Sequence, residues 1–234
     1  MPFIHNPIDL KPLERETING VRYYKVPDSD ELIKMPSITT ITSHYKKDFF
    51  VKWRERVGAE KADKITKRAT SRGTEMHLLT EHYLNNEEVP KAKIPISGML
   101  FNVAKPGLDR IDNIIAQEKA LYSLRLGVAG TVDCIADFDG ELSIIDFKTS
   151  KAPKPREWIE GYFVQAAAYS CMLYELTGLK AKKLVIIMAC EDGDLEIYEE
   201  RDIFPFIQKL GLYIRKFVTD KLEELWAKKN YPRS

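Results

Sequence analysis

The sequence predicts an α/β fold in which a mixed central β-sheet is sandwiched between layers of helices. Three observations predict it. Asp139-Gly140, a preferred pair for a two-residue hairpin turn, sits inside GTVDCIADFDGELSIIDFKTSK (residues 130–151), most of which reads as two short buried strands. Pro153 and Pro155 end that strand region, and residues 156–176 then follow helical spacing. Residues 183–190 form an apolar strand, followed by an Asp192-Gly193 turn and an alternating strand over 194–199.

The remaining elements follow in chain order. ETINGVRYYKV (16–26) holds an Asn19-Gly20 turn between strand-like flanks and predicts an N-terminal hairpin. Pro36-Ser37 offers a helix start with Ser37 as N-cap. Residues 45–85 read as helical, in two or three pieces broken near Gly58 and at Ser71-Arg72-Gly73. Residues 91–97 are loop-like, and 99–113 predict a helix interrupted at Pro106-Gly107. A strand over 114–122 opens the sheet, and 202–229 forms a last amphipathic helix. We expect one domain over 1–234, with an N-terminal hairpin and helical region (1–113) leading into a core (114–234).

With 234 residues, 44% hydrophobic and 30% charged, the chain can bury a core without disulfides or a structural metal. Cys134, Cys171 and Cys190 are odd in number and lack any C-x-x-C spacing, which suits a reducing compartment and gives no zinc ribbon. MPFIHNPIDLKPLERE has no apolar segment and carries acids, so neither a secretory signal nor a transit peptide is expected; 184–190 is far too short to span a bilayer. A cytoplasmic, membrane-free protein is the expectation. Net charge is only +1, but it is unevenly spread. Residues 46–72 hold ten Lys/Arg against four Asp/Glu, and 191–202 hold seven acids against Arg201. Such polarity either gives a phosphate-attracting face or reflects ordinary solvated surfaces.

The two-residue turn at Asp139-Gly140 would set Asp133 directly opposite Asp146, with Cβ atoms about 5 Å apart. Lys148 projects on the same face as Asp146, while Ile145 and Phe147 point to the other layer. Two opposed carboxylates repel, and burying them is costly. A divalent cation converts that penalty into a binding site, and hard oxygen ligands suit magnesium or manganese. Surface carboxylates on a hairpin are the plain alternative.

These residues also carry a family resemblance. Gly130-x-x-Asp133, followed after the turn by IIDFKTS, resembles the D…(D/E)xK core of the PD-(D/E)XK nuclease superfamily in its RecB-type exonuclease branch, a restriction-endonuclease-like fold. DFKTSKAPKP (146–155) is especially similar to the mitochondrial genome maintenance and bacteriophage exonucleases of that branch. Pro36-Ser37-Ile38-Thr39-Thr40, Arg72-Gly73-Thr74-Glu75-Met76-His77 and Gln165-Ala166-Ala167-Ala168-Tyr169 also match it. The resemblance covers residues 16–200, with Val132 in place of the proline of the superfamily's name.

The resemblance implies that Asp133, Asp146 and the Phe147 carbonyl hold one or two Mg²⁺ or Mn²⁺ ions, with His77 completing the shell. Lys148 would act on the water or the phosphoryl oxygens, with Gln165 and Tyr169 of the Q-x-x-x-Y helix also in the catalytic set. Arg72, Thr149, Ser150, Lys151, Lys154 and Arg156 are expected to grip substrate phosphates. Gly73 would let its helix approach the sheet or DNA closely, Glu81 would orient His77, and Glu118 is a candidate further acid. Trp158, Tyr162, Gln165 and Tyr169 form one helical stripe that alone reads as core. Phe50, Trp53 and Val57 also read as core, whereas Tyr45 and Phe49 among Lys46, Lys47, Lys52, Arg54 and Arg56 could hold a single strand by stacking and charge.

The function these features imply is a metal-dependent DNA exonuclease acting on single strands or duplex ends in replication, recombination or repair, leaving 5′-phosphates. An endonuclease of the same superfamily and a non-catalytic DNA-binding recombination accessory are the alternatives. DNA is the expected partner, with a single-strand-binding or recombination protein beside it, in the host cytoplasm if the chain is phage-encoded. No G-x-x-x-x-G-K-[ST] phosphate loop is present, so no helicase activity is expected in cis. Strand preference, polarity and oligomeric state stay open at this point.

Overall fold

The computed structural model of the chain describes residues 2–29 and 31–230. Asp139 and Gly140 both take positive φ, 52° and 76°, and turn β5 (Val128–Phe138) into β6 (Glu141–Ser150). Phe138 pairs with Glu141 and Cys134 with Ile145, the register a two-residue turn imposes. β4 (Ile111–Ser123) lies antiparallel on the other side of β5. α5 (Arg156–Thr177) carries the chain across to β7 (Lys183–Cys190), which pairs parallel with β6. β8 (Leu195–Glu200) pairs antiparallel with β7 and completes a mixed sheet of order β4-β5-β6-β7-β8.

Both faces of this sheet are buried, and the period of two along each strand divides the core. Ile144, Ile186 and Met188 face Phe163, Val164 and Tyr169 of α5. On that same side lie Ile38 and Ile41 of α1 (Ile38–Tyr45) and Leu210 and Phe217 of α6 (Phe204–Asn230). Ile145, Phe147 and Ile187 face the opposite core, against Met76 and Leu79 of α3 (Ala59–Leu84) and Leu100 and Ala104 of α4 (Pro95–Leu108). The result is the α/β/α sandwich the sequence predicts. No helix among the described residues is long and apolar enough to cross a membrane.

A second, three-stranded sheet is formed by β1 (Arg15–Ile18), β2 (Val21–Asp28) and β3 (Glu31–Pro36), with Asn19 and Gly20 at φ 51° and 76° as the predicted hairpin turn. Tyr24, Val26 and Met35 pack it onto Ala129 of β5. β3 has no counterpart in the sequence reading. Ser29, a non-glycine residue at φ 52°, makes part of the connection, and a serine is a weak turn signal. Ser37 caps α1 as expected, its Oγ accepting the Thr40 N–H at 3.1 Å.

Three local expectations are corrected. α3 runs unbroken through Ser71-Arg72-Gly73, because Arg72 is tied into the core by Glu191, by Thr149 and by Ser97 bonding its carbonyl. α4 continues through Pro106, which falls in its last turn, so the one hydrogen bond forfeited, to the Asn102 carbonyl, lies at the helix end. There Gly107 is so close to the sheet that a Cβ would lie 3.2 Å from Ile197 and 3.3 Å from Ile187. α2 (Lys47–Val57), after which Gly58 at φ 88° breaks the chain as predicted, buries no residue at all. Phe50, Trp53 and Val57 are therefore not core: helical spacing identified a face but not what covers it.

Three of the seven acids in segment 191–202 are held in ion pairs within the molecule. Glu191 pairs with Arg68 and Arg72, Glu199 with Lys183 and Arg110, and Glu200 with Arg156. In the basic segment only Arg54, Lys64, Arg68 and Arg72 have carboxylate partners. Lys46, Lys47, Lys52, Arg56, Lys61 and Lys67 have none among the described residues, so most of this segment's positive charge is left without an ion-pair partner.

Candidate active site

β5 and β6 diverge just past the Cys134–Ile145 pair, at the level of the two aspartates. Asp133 does not face Asp146 across a closed ladder. Its Oδ2 reaches diagonally to accept the backbone N–H of Phe147 at 2.8 Å. That bond fixes one carboxylate oxygen and leaves Oδ1 directed at His77, 3.8 Å from its Nδ1. Asp146 is held differently. Its Oδ1 accepts from the Gln165 amide at 3.1 Å, and its Oδ2 meets the Lys148 ammonium as an ion pair without hydrogen-bond geometry. Asp146 Oδ2 is thus a buried carboxylate oxygen whose partner is the Lys148 ammonium.

β4 adds a third acid. Gln117 pairs with Cys134 and Lys119 with Val132, which sets Glu118 across from Asp133. Glu118 takes φ 47°, a costly conformation for a non-glycine residue, beyond a shift in the strand register between Asp112 and Ala116. Its carboxylate lies 3.5 Å from His77 Nδ1, and His77, Glu118 and Asp133 each offer a ligand atom within 4.8 Å of the others. Glu118, Asp133 and Asp146 therefore stand abreast on three neighbouring strands.

His77 comes from α3. Its Nε2 donates to the Phe147 carbonyl at 2.9 Å, which in the neutral ring leaves the Nδ1 lone pair toward Glu118 and Asp133. This is the way a metal-ligating imidazole is held, with one nitrogen on a carbonyl and the other free for the ion. The Phe147 carbonyl, expected as a ligand, here orients His77. Glu81 lines the same cleft but does not hold the imidazole. Gly73 is not a tight approach either, since a Cβ there would meet Thr149 at an ordinary 3.7 Å.

Electrostatics follow from the crowding. Burial pushes Asp146 up to about 7, with Lys148 opposing the rise and the charge of Asp133 adding to it. Burial works against protonating His77, yet Asp133 and Glu118 together push it up to about 9. The Asp146 shift reports burial first, and the His77 shift reports the anionic charge of Asp133 and Glu118 around it. A divalent cation fits that charge. The donors within reach of one ion are the carboxylate oxygens of Glu118 and Asp133 plus the His77 imidazole.

The remaining expected residues divide sharply. Tyr169 is buried behind the acids and donates to the Thr131 carbonyl at 2.7 Å. Gly130 makes its place, because a Cβ there would come within 2.9 Å of the ring. Arg72 is consumed by Glu191 and Thr149, Arg156 by Glu200 and the face of Phe163, and Ser150 bonds the Ala152 carbonyl. Lys151 stays exposed, and Lys154 reaches the Tyr162 hydroxyl at 2.9 Å. The helical stripe on α5 splits likewise, since Gln165 and Tyr169 are buried but Trp158 is 65% exposed. Sequence reasoning missed Arg15 and Arg22, which the N-terminal hairpin carries into the cleft of about 640 Å³ around His77, Glu118, Asp133 and Lys148. The Asn19-Gly20 turn marked that hairpin but not the place where it docks.

An α/β/α sandwich with two aspartates and a lysine converging where neighbouring strands part is the architecture of the PD-(D/E)XK nucleases. Residues 104–202 match the family model of the PD-(D/E)XK nuclease superfamily. The chain is homologous to mitochondrial genome maintenance exonuclease 1. It is 28% identical to the human protein over 185 residues, which is 72% of this chain and 52% of that one. It is 30% identical to the Xenopus tropicalis protein over 173 residues, 68% of this chain and 49% of that one. The mouse protein matches at 30% over 131 residues, so the chain spans about half or less of the curated relatives' length. A crystal structure from Eubacterium rectale, provisionally named an exonuclease, is similar with a TM-score of 0.48 and 13% identity over 71% of this chain and 69% of that one; a likeness at this level carries no functional weight.

Proposed function

We propose that the protein is a divalent-metal-dependent deoxyribonuclease that removes nucleotides from DNA ends. The observation that carries this reading is the convergence of His77, Glu118 and Asp133, with the buried Asp146 and its Lys148 partner beside them. Exonuclease homologues support the mode of attack. The setting we infer is replication, recombination or repair, alongside single-strand-binding or recombination proteins in the reducing compartment that the free cysteines suit.

Asp133 Oδ1, Asp146 Oδ2 and His77 Nδ1 would hold the cation, with Glu118 beside them. The mixed oxygen and nitrogen set suits Mn²⁺ at least as well as Mg²⁺. When bound, the ion supplies Lewis-acid polarisation of the phosphodiester and lowers the pKa of a bound water. The chain's own residues do the rest. The Phe147 N–H and the Gln165 amide lock the two aspartates, so the donor set is formed before substrate arrives. Lys148 stands on Asp146 and can offset the charge that builds on the phosphoryl oxygens as water attacks phosphorus and the 3′-oxygen leaves. Arg15 and Arg22 have no carboxylate partner among the described residues and line the cleft, suited to grip flanking phosphates. We also read the whole chain as one domain, because α1 and α3 from its first half complete both cores of the sheet.

The test is incubation with end-labelled linear DNA and closed circular single-stranded DNA, in Mg²⁺, Mn²⁺ or chelator. Metal-dependent release of nucleotides from linear DNA alone is expected. Cutting of the circle would assign an endonuclease instead, and no cleavage in either metal would leave a binding protein.

A further inference from the structure

Beyond the acid cluster, an aromatic cleft of about 640 Å³ runs between α2 and α5. Phe49, Phe50 and Trp53 enter it from α2, and Trp158 and Tyr162 from α5. These rings are unusually open: Phe49 is 62% exposed, Phe50 48% and Trp158 65%. Lys46, Arg56 and Lys154 stand around them against a single acid, Glu157. The cleft joins the catalytic lysine through Tyr162. Around that one ring lie the ammonium groups of Lys148 at 5.2 Å, Lys154 at 5.3 Å and Lys46 at 5.8 Å from its centroid.

Exposed rings cost solubility unless something covers them. Here the candidate cover must be flat enough to stack and anionic enough to meet the surrounding ammonium groups. Unpaired nucleotides satisfy both demands, since every base has a π-face and every linkage carries a charge. A stacked duplex offers the charge but hides the faces of its bases. We propose that this cleft is a stacking subsite for unpaired bases of the nucleic-acid strand whose phosphodiester lies at Lys148, with Trp53 and Trp158 as principal platforms. The proposal rests on the nuclease reading for the strand's path into the acid cluster, and on the cleft alone for the stacking.

The test is binding of the full chain in chelator, where cleavage cannot interfere, followed by anisotropy of labelled strands and by quenching of tryptophan fluorescence. Wild type should bind oligothymidylate more tightly than an abasic phosphodiester chain of equal length, and quench on binding. Trp53→Ala or Trp158→Ala should lower oligothymidylate affinity between about five- and a hundredfold, removing the preference over the abasic chain, and Trp158→Phe should restore it. Equal affinity of wild type for both chains, or unchanged preference in both alanine variants, would overturn the proposal. Hydrolysis of thymidine 5′-p-nitrophenyl phosphate with Mg²⁺ separates the two readings, because this small ester needs only the acid cluster. Wild type should hydrolyse it. Base-dependent binding without any such hydrolysis would retain the cleft and remove the nuclease; hydrolysis with unaltered binding in the variants would do the reverse.

Discussion

The carboxylate of Asp133 accepts the backbone N–H of Phe147 at 2.8 Å, so one side chain both ties β5 to β6 and serves the candidate metal site. Asparagine has a carbonyl oxygen in the same place and can keep the first role while losing the charge needed for the second. Asp133→Asn should therefore fold with a melting temperature near wild type but lose divalent-ion affinity. Its cleavage rate should fall by more than the 10- to 100-fold typical of partners that only orient a ligand. Melting curves with a steady-state nuclease assay check both halves.

Lys148 leads to the opposite pattern. It is the cation beside a nearly fully buried Asp146, so Lys148→Ala strands that carboxylate. The metal-free variant should melt below wild type, and added Mg²⁺ should restore more of the loss than it adds to wild type. Cleavage should fall roughly 100- to 1,000-fold while oligonucleotide binding survives. Full activity in Lys148→Ala would remove the lysine from the mechanism.

The pH dependence follows from the two raised groups. Asp146 moves from an ordinary 3.8 up to about 7, so the penalty for ionising it in the metal-free fold is absent at low pH and complete above that value. His77 moves from 6.5 to about 9, so its stabilising charge is present below 6.5 and lost as pH rises through about 9. Both lower the stability of the metal-free protein as pH climbs from 6 to 9. Metal binding requires both protons to leave, so the gain in melting temperature on adding Mg²⁺ should grow over the same range. A gain that shrinks with rising pH would contradict the ligand set.

Away from the site, Lys183 is 1% exposed at the start of β7, with its ammonium 2.7 Å from Glu199 and 3.7 Å from Glu141. Glu199 and Glu141 keep Arg110 and Arg201 as partners when this ammonium is removed, so Lys183→Ala should lower stability in urea unfolding by less than the roughly 3–5 kcal/mol of stranding a fully buried charge. Divalent-ion affinity of the folded fraction should not change.

The legible and illegible parts of this molecule separate by how local their causes are. Asp139-Gly140 favours a two-residue turn, so the register between β5 and β6 from Phe138–Glu141 to Cys134–Ile145 could be counted off the sequence, whereas the parting of the strands just beyond it, which turns Asp133 toward the Phe147 N–H, could not. Gln165 stood out as an amide in an apolar stripe. Glu118 could not be placed the same way. Its register depends on the turn residues 124–127 and on the irregularity near Asp112, neither of which has a fixed residue count. Arg72 and Arg156 looked like phosphate ligands because a sequence shows charge but not the carboxylate that consumes it. Phe50 and Trp53 looked like core because spacing is blind to whether a second layer exists.

Titration of Mn²⁺ into chelator-treated protein, by calorimetry or paramagnetic resonance, compares wild type with Asp133→Asn and Asp146→Asn. Saturable uptake by wild type at neutral pH, with proton release and with affinity lost in both variants, is the predicted result. Equal uptake by all three proteins, or none by wild type, would mean that these carboxylates are not a metal site.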